Sequence, residues 1–195
     1  MKIIGVTGSS GSGKTTVSKI IAEELKAKTI NADQVVRKMQ EKGTTYYKKI
    51  VETFGTEILK QDASINRKKL AQIIFQDESK KEKLDILTYK YVVEEIKNQI
   101  ETVKEEYIII DAPLLIESKL NEICNVIIAV ISNKEEQLKR IYKRDNIEEK
   151  NAKIRIEAQK DNEFYTTNAD YIVENNGGKI DVLVGRIRKI VQELQ

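Results

Sequence analysis

A glycine-rich segment near the N-terminus has the residue types and spacing that bind a triphosphate. Residues 8–15 read GSSGSGKT and fit the pattern G-x-x-x-x-G-K-[S/T] without a mismatch. Glycines let main-chain N–H groups turn inward around an anion, and a following helix directs its positive end there. Lys14 can then reach the β- and γ-phosphates, and the Thr15 hydroxyl can ligate magnesium. A turn that merely joins strand to helix is disfavoured, because an apolar run precedes the motif and a helix-like run follows it.

A second candidate for chemistry follows the next apolar run. Asn31-Ala32-Asp33 lies where a parallel strand would end, and ligands bind at that edge of an open α/β sheet. The chain has no histidine, so proton transfer near neutral pH needs a carboxylate, lysine, tyrosine, the lone cysteine or water. Asp33 is therefore the first candidate to orient and deprotonate a hydroxyl, although Asn31 or Asp33 could equally cap the helix predicted over 34–41. Arg37, one turn later, could pair with Asp33 or with a substrate phosphate.

Two further segments carry residues suited to phosphoryl transfer. Asp111 follows the third apolar run, at a position where an acid supports magnesium, and Pro113 fixes the backbone just beyond it. Arg140 and Arg144 lie four residues apart on a helix predicted over 135–144, so both project from one side. Guanidinium groups stabilise charge on a transferring phosphoryl group. Ordinary surface ion pairing is the alternative reading of this arginine pair, and the sequence leaves it open.

The elements that must position these residues are visible as short apolar runs separated by helical patterns. Such runs without polar alternation are typical of parallel strands that helices cover on both faces. The predicted strands are Ile3–Val6, Lys28–Ile30, Tyr107–Ile110, Val126–Ile131 and Tyr171–Val173. About 75 residues separate the second and third runs, which is more than one crossover helix can fill. We therefore predict a helical insertion, with helices over 46–54, 67–75 and 82–103.

Composition bounds the class of protein. The 195 residues include 40% hydrophobic and 33% charged residues, which is typical of a globular domain of this size. One cysteine excludes an intrachain disulfide and Cys-rich zinc sites. The net charge of +3 is small, and the lysines of the chain are interleaved with acidic residues. Nucleic-acid binding is therefore not expected. No signal peptide or bilayer-spanning run is apparent, which predicts a cytoplasmic protein without membrane contact.

The ordered combination of motifs resembles the dephospho-CoA kinase family, whose members catalyse the last step of coenzyme A synthesis. The resemblance runs nearly end to end and rests on these segments: 5–16, 31–37, 43–44 (GT), 67–70 (RKKL), 75–77 (FQD), 111–117 (DAPLLIE), 137–145, 152–159 and 169–175 (ADYIVEN). The loop alone indicates only a superfamily, whereas its combination with DAPLL is far more specific. The chain departs from the family pattern at Asn31, where aspartate is usual, and at Tyr89-Lys90, where His-Pro is frequent.

The resemblance implies an α/β fold of the P-loop kinase type, with a parallel five-stranded sheet flanked by helices, a helical insertion and a helical lid. It implies a nucleotide-binding core of residues 1–42 and 106–195, within which residues from about 140 to 163 form the lid. Residues 43–105 would then be the substrate subdomain, on the CoA side of the reaction.

The same resemblance implies a set of site residues. Catalysis is expected of Asp33, Lys14 and Arg140, with Asp33 beside the ribose 3′-hydroxyl. The residues expected to bind ATP are Gly8, Gly11, Ser12, Gly13, Lys14, Thr15, Thr16, Arg144 and, near the adenine, Asn175. Those expected to bind the other substrate are Asp33, Arg37, Pro113, Leu114 and Leu115. Mg²⁺ is expected at Thr15 and Asp111.

The expected activity is ATP-dependent phosphorylation of the 3′-hydroxyl of dephospho-CoA, giving coenzyme A and ADP, by a monomer or weak homo-oligomer. One alternative is another small P-loop kinase, acting on a nucleoside monophosphate or a small alcohol. A second is a regulator that binds ATP without catalysis. Turnover of a panel of acceptors with ATP discriminates among the three.

Overall fold

The computed structural model describes all residues, 1–195. The chain divides into two compact units, one of residues 1–30 and 103–195 and the other of residues 31–102. The first contains the sheet and the second is helical. The assignment of residues 43–105 to substrate binding stays a prediction.

A five-stranded sheet forms the centre of the first unit. Its strands are β1 (Lys2–Thr7), β2 (Lys28–Asn31), β3 (Tyr107–Asp111), β4 (Val126–Ile131) and β5 (Tyr171–Glu174). The order across the sheet is β2-β3-β1-β4-β5, and β1 pairs in parallel with both β3 and β4. The predicted parallel five-stranded α/β sheet is confirmed. Because β1 is central, the loop that follows it opens between the ends of two neighbouring strands.

Helices on the sheet bury its apolar side chains. In the first unit they are α1 (Lys14–Leu25), α6 (Lys134–Asp145), α7 (Glu149–Glu157), α8 (Asn162–Thr167) and α9 (Ile180–Leu194). Ile4, Val6 and Ile128 have no exposed surface and share one core with Ile21 of α1 and Ile187 of α9. Burying each such side chain contributes roughly 1.5–3 kcal/mol. This core holds the carboxyl end of β1 in a fixed position.

The second unit is a helical assembly with its own core. Its helices are α2 (Ala32–Met39), α3 (Thr45–Phe54), α4 (Arg67–Gln76) and α5 (Glu78–Glu101). Each begins at a polar N-cap whose side chain accepts a main-chain N–H: Asn31, Thr44, Asn66 and Asp77. The predicted helices over 46–54, 67–75 and 82–103 correspond to α3, α4 and α5. The cap at Asn31 also explains why α2 starts at residue 32 and not at residue 34.

The long helix α5 passes without a break through Tyr89-Lys90, the pair at which the sequence analysis expects a departure from the pattern of the family that the chain resembles. A proline there would remove a main-chain hydrogen bond and clash with the preceding turn. Nearby, the hydroxyls of Thr88 and Tyr46 are 2.6 Å apart, and burial raises the pKa of Tyr46. No helix combines the length and the apolar character that crossing a membrane requires.

The close packing at Gly5 generates a stability prediction. A Cβ atom at Gly5 would lie 2.7 Å from Cδ2 of the buried Leu115 and 2.9 Å from Sγ of Cys124. We expect Gly5→Ala to lower the free energy of unfolding by about 1–3 kcal/mol through overpacking. Gly185, within α9, is the matched control because nothing lies within 4 Å of its Cβ position. Gly185→Ala should raise the free energy of unfolding by about 0.5–1 kcal/mol. Urea unfolding of both variants makes the measurement, and equal midpoints would contradict the packing argument.

The lone cysteine generates a second prediction. The Cys124 Sγ donates to the Leu120 carbonyl at 3.3 Å, and burial raises the pKa of this thiol to about 12. At pH 8 the reactive thiolate should be roughly a thousandfold rarer than for an exposed cysteine with its ordinary pKa. A disulfide reagent followed by absorbance should therefore label the folded protein very slowly and the urea-unfolded protein rapidly. Similar rates in the two states would show that the thiol is accessible.

Candidate active site

The loop between β1 and α1 has the backbone shape of an anion cradle. Gly11 and Gly13 adopt φ values of 80° and 95°, in the left-handed region that favours glycine. Helix α1 begins at Lys14 with no side-chain cap, so its positive end is open toward the loop. The hydroxyls of Ser9 and Ser12 are buried without a hydrogen-bond partner in the protein. Unsatisfied donors beside an open helix end suit a multiply charged anion.

Lys14 and Thr15 lie at the start of α1, beside the end of β3. The Lys14 Nζ donates to the Ser9 carbonyl at 2.9 Å, so the ammonium group lies along the loop. The Thr15 Oγ1 lies 3.3 Å from Oδ2 of the buried Asp111. Asp111 pairs in register with Val6 of β1, as expected for an acid on the strand next to the loop.

The Thr15–Asp111 pair fits a magnesium ion that is completed by other ligands. A hydroxyl and a carboxylate are the hard oxygen donors that Mg²⁺ prefers. The protein offers no group of three or more His, Cys, Asp or Glu side chains that could hold a metal. An ion here would take its remaining ligands from phosphate and water, which is usual for Mg²⁺ in phosphoryl-transfer sites.

Arg140 supports the outside of the loop. Its Nη1 donates to the Gly11 and Ser12 carbonyls, both at 3.0 Å, and its Nη2 donates to the Asn175 carbonyl at 2.9 Å. Glu136 lies 3.6 Å from Nη2. The guanidinium thus donates mainly to main-chain oxygens. Its direct action on a transferring phosphoryl group stays a prediction.

Asn175, directly after β5, completes this support. Its Nδ2 donates to the Ser12 carbonyl at 2.8 Å, which therefore receives two hydrogen bonds from outside the loop. A side chain at Gly13 would collide with the same Asn175 amide. The Asn175 carbonyl also accepts the Ser132 hydroxyl at 2.7 Å. The predicted contact of Asn175 with adenine stays a prediction, while its contact with the loop is direct.

Helices α6 and α7 carry a cluster that reaches the loop at Ser10. Asp145 binds two arginines, Arg144 at 2.7 Å and Arg155 at 2.6 Å. The hydrogen bond from Arg144 lowers the pKa of Asp145, and the charges of Arg144 and Arg155 lower it further. The Arg144 Nη2 lies 3.3 Å from Ser10 Oγ, and the Gln159 side-chain carbonyl accepts the Ser10 main-chain N–H. The predicted lid segment thus places an arginine and a glutamine against the loop.

Asp33 and Arg37 belong to the helical unit and are both exposed on α2. Asn31 supplies the cap of α2, with its Oδ1 accepting the Gln34 N–H at 3.0 Å, so Asp33 is not needed for that task. Asp33 makes no side-chain hydrogen bond and no salt bridge, and the alternative pairing with Arg37 is not formed. The Asp33 carboxylate is therefore available to a ligand.

The three residues after Asp111 and Ala112 differ in their surroundings. The Pro113 carbonyl lies 3.4 Å from the Thr7 hydroxyl, and Leu114 is 47% exposed. Leu115 has no exposed surface and packs against Gly5. Of the two leucines predicted to contact substrate, Leu114 is the accessible one, and Leu115 is a core residue in this structure.

Ser132, Gln137 and Asp145 have site contacts that the sequence analysis did not assign. Ser132 follows β4, and Gln137 Nε2 donates to its carbonyl at 2.7 Å. A polar residue directly after a buried strand was the available signal for Ser132, the same signal that led to Asp33 and Asp111. Gln137 and Asp145 lie at the two ends of segment 137–145, on which the family resemblance rests, and that match was the available signal for them.

Comparison with known proteins identifies the family. The family model of dephospho-CoA kinase matches residues 2–181. The dephospho-CoA kinase of Bacillus cereus is 39% identical over 178 residues, which cover 90% of this chain and 88% of that protein. The structure of a dephospho-CoA kinase from Campylobacter jejuni has a TM-score of 0.68 and 29% identity, with 100% of this chain and 98% of that chain covered. A shikimate kinase from Acinetobacter baumannii shares the fold with a TM-score of 0.59 at 18% identity, covering 100% of this chain and 95% of that chain. These matches confirm the resemblance and the P-loop kinase fold.

The contacts of Arg140 predict a role in ATP affinity. Lysine keeps the charge at this position but lacks the planar fork that reaches the Ser12 and Asn175 oxygens together. Arg140→Lys should weaken ATP binding by about 10- to 100-fold, the worth of one or two hydrogen bonds to a charged group. Calorimetric titration with ATP measures this. Arg188→Lys is the control, because Arg188 binds Glu24 on the protein surface at 2.8 Å. The same ATP affinity in both variants would contradict a supporting role for Arg140.

Proposed function

The chain belongs to the dephospho-CoA kinase family, and we propose that its own residues transfer the γ-phosphoryl group of ATP to the 3′-hydroxyl of dephospho-CoA. The family match shows a kinase of coenzyme A biosynthesis. The observation that carries the assignment is this match over residues 2–181, together with a loop whose shape suits a triphosphate. The products are coenzyme A and ADP.

The loop and Lys14 bind the triphosphate of ATP. Main-chain N–H groups around Gly11 and Gly13 face the phosphates, and the open end of α1 adds its partial positive charge. In this structure Lys14 donates to the Ser9 carbonyl. On ATP binding the ammonium exchanges this neutral acceptor for phosphate oxygens, where it neutralises charge on the β- and γ-phosphates.

Thr15 and Asp111 would hold Mg²⁺ beside the phosphates. The Thr15 hydroxyl would bind the ion directly, and Asp111 would support it through the hydroxyl or through water. When bound, the ion supplies charge neutralisation and alignment of the β- and γ-phosphates. The buried carboxylate of Asp111 keeps the Thr15 hydroxyl directed to one side.

Asp33 orients the acceptor hydroxyl and accepts its proton. The 3′-oxygen forms a bond to the γ-phosphorus while the bond from that phosphorus to the β–γ bridging oxygen breaks, so ADP leaves with the electron pair. The absence of histidine and the free carboxylate of Asp33 support this role. Positioning and proton transfer by one such group typically contribute about 10²- to 10⁴-fold in rate.

The lid residues cover the ATP bound at the loop. Arg144, held by Asp145, lies against Ser10 of the loop, where its charge can neutralise phosphate oxygens. Water excluded by the lid cannot compete with the 3′-hydroxyl for the phosphoryl group. A cytoplasmic location and a monomer or weak homo-oligomer remain predictions from the sequence.

A panel of acceptors tests the activity. Dephospho-CoA, AMP, CMP, UMP and dTMP are each incubated with ATP and Mg²⁺, and the products are read by mass spectrometry. We expect phosphorylation of dephospho-CoA alone. Turnover of a nucleoside monophosphate without turnover of dephospho-CoA would overturn the proposal, and ATP binding without any product would favour a regulator.

Replacement of Asp33 tests its role. Asp33→Ala should reduce kcat by about 10²-fold or more, because the hydroxyl loses its orienting base, while the affinity for ATP stays unchanged. Steady-state kinetics and ATP titration separate the two effects. Glu52→Gln is the control, since Glu52 is an exposed acid of the same unit that pairs only with Lys49. Turnover near that of the native protein would remove Asp33 from the chemistry.

A further inference from the structure

The helical unit contains a strongly basic concavity that no role assigned above explains as a whole. This basic pocket has a volume of about 530 Å³, and the charged residues that line it are Arg37, Lys42, Lys60, Arg67, Lys68 and a single acid, Glu41. Five cations thus surround one carboxylate, in a chain whose net charge is only +3. Three separate segments contribute these cations: α2 with its following turn, the loop before α4, and the start of α4.

The five cations lack close acidic partners, although Lys60 contributes, after the hydrogen bonds from Ser64, to lowering the pKa of Asp62. None of them forms a salt bridge, although other lysines of the same unit pair readily with acids one turn away, as Lys49 does with Glu52 and Lys81 with Glu78. Like charges gathered around a concavity repel one another, and each remains hydrated at the surface. A bound anion would relieve this repulsion, so the arrangement favours a ligand with more than one negative charge.

Arg67 is already oriented for such a ligand. Its Nε donates to Gln40 Oε1 at 2.9 Å, and its two Nη groups donate to no protein acceptor. A guanidinium fixed at Nε presents its remaining N–H groups in the planar geometry that binds phosphate oxygens in pairs. Arg67 also begins α4, whose first turn is capped by Asn66, so the positive end of this helix faces the same region.

The position of the pocket on α2 identifies its ligand. Arg37 lines the pocket, and Asp33 lies four residues earlier on the same helix face, so their Cβ atoms are about 6 Å apart. Dephospho-CoA carries its acceptor 3′-hydroxyl and its 5′-diphosphate on one ribose. A substrate whose hydroxyl reaches Asp33 therefore has its diphosphate within reach of Arg37 and the other cations.

We propose that the basic pocket binds the 5′-diphosphate of dephospho-CoA through Arg37, Lys42, Lys60, Arg67 and Lys68. This inference rests on the proposed function, since it takes Asp33 as the group that binds the 3′-hydroxyl. The pocket then selects acceptors by the double negative charge next to the ribose, and the anchored diphosphate orients the hydroxyl toward Asp33.

Two double variants test the proposal against one control. Arg67→Ala/Lys68→Ala and Lys42→Ala/Lys60→Ala each remove two cations from different segments, whereas Lys69→Ala removes an exposed cation of α4 that does not line the pocket. Each double variant should raise KM for dephospho-CoA by about tenfold or more, because charge-assisted hydrogen bonds to phosphate are lost. KM for ATP should stay within about twofold of the native value. All the substituted side chains are exposed, and thermal unfolding monitors the fold of each variant.

A truncated ligand isolates the diphosphate. Adenosine has the 3′-hydroxyl without the 5′-diphosphate, so its inhibition constant against dephospho-CoA should be the same in the native protein and in both double variants. Inorganic pyrophosphate should compete with dephospho-CoA in the native protein and lose this effect in the variants. Equal loss of adenosine and pyrophosphate binding would show a general disturbance and overturn the proposal.

The results distinguish a failure of the proposed function from a failure of the basic pocket as a diphosphate site. Native protein that does not phosphorylate dephospho-CoA contradicts the proposed function itself. Native protein that does so, with KM for dephospho-CoA unchanged in both double variants, contradicts only the pocket. A raised KM in the double variants, with Lys69→Ala at the native value, supports the diphosphate site.

Discussion

The active site depends on hydrogen bonds that satisfy the outer side of the phosphate-binding loop. When main-chain N–H groups turn inward to face an anion, the carbonyl groups of the same peptides must turn outward and find donors. Here the Gly11 and Ser12 carbonyls receive hydrogen bonds from Arg140, and Ser12 receives another from Asn175. These donors lie more than 120 residues away in sequence. The inward orientation of the loop is thus stabilised by side chains that do not themselves need to contact the phosphates.

The order of the strands explains how such distant residues meet. With β1 between β3 and β4, and β5 beside β4, the residues that follow these strands all lie at one edge of the sheet. Asp111, Ser132 and Asn175 are each located at such an end, next to a loop that starts after Thr7. The apolar core beneath the sheet therefore does more than stabilise the fold, because it sets the distances among the polar groups above it.

The sequence predicted the parts of this site that are local. The loop motif, the five strands and the position of Asp111 next to the loop strand follow from apolar runs and the residues after them, and the fold is confirmed. The supporting contacts of Arg140 could not be predicted, because they depend on the register of strands far apart in the chain. The basic pocket could not be predicted either, since Lys60 and Arg67 are brought near Arg37 only by tertiary packing in the helical unit, where α2 and α4 both pack against α5. The burial of Leu115 could not be predicted either. It follows another leucine, Leu114, and the sequence alone does not show which of the two is buried.

The helical unit is one uninterrupted stretch, residues 31–102, and its two junctions with the rest of the chain adjoin β2 and β3. Those strands are neighbours in the sheet, and the stretch follows the carboxyl end of β2 and precedes the amino end of β3. Its caps, core and basic pocket are all internal to it. Under the proposed function, acceptor choice is encoded in this stretch as a cassette, separable in principle from the residues that bind ATP. A chimera that exchanges this cassette with that of another P-loop kinase would alter what is phosphorylated while every residue of the loop and its outer supports remains in place.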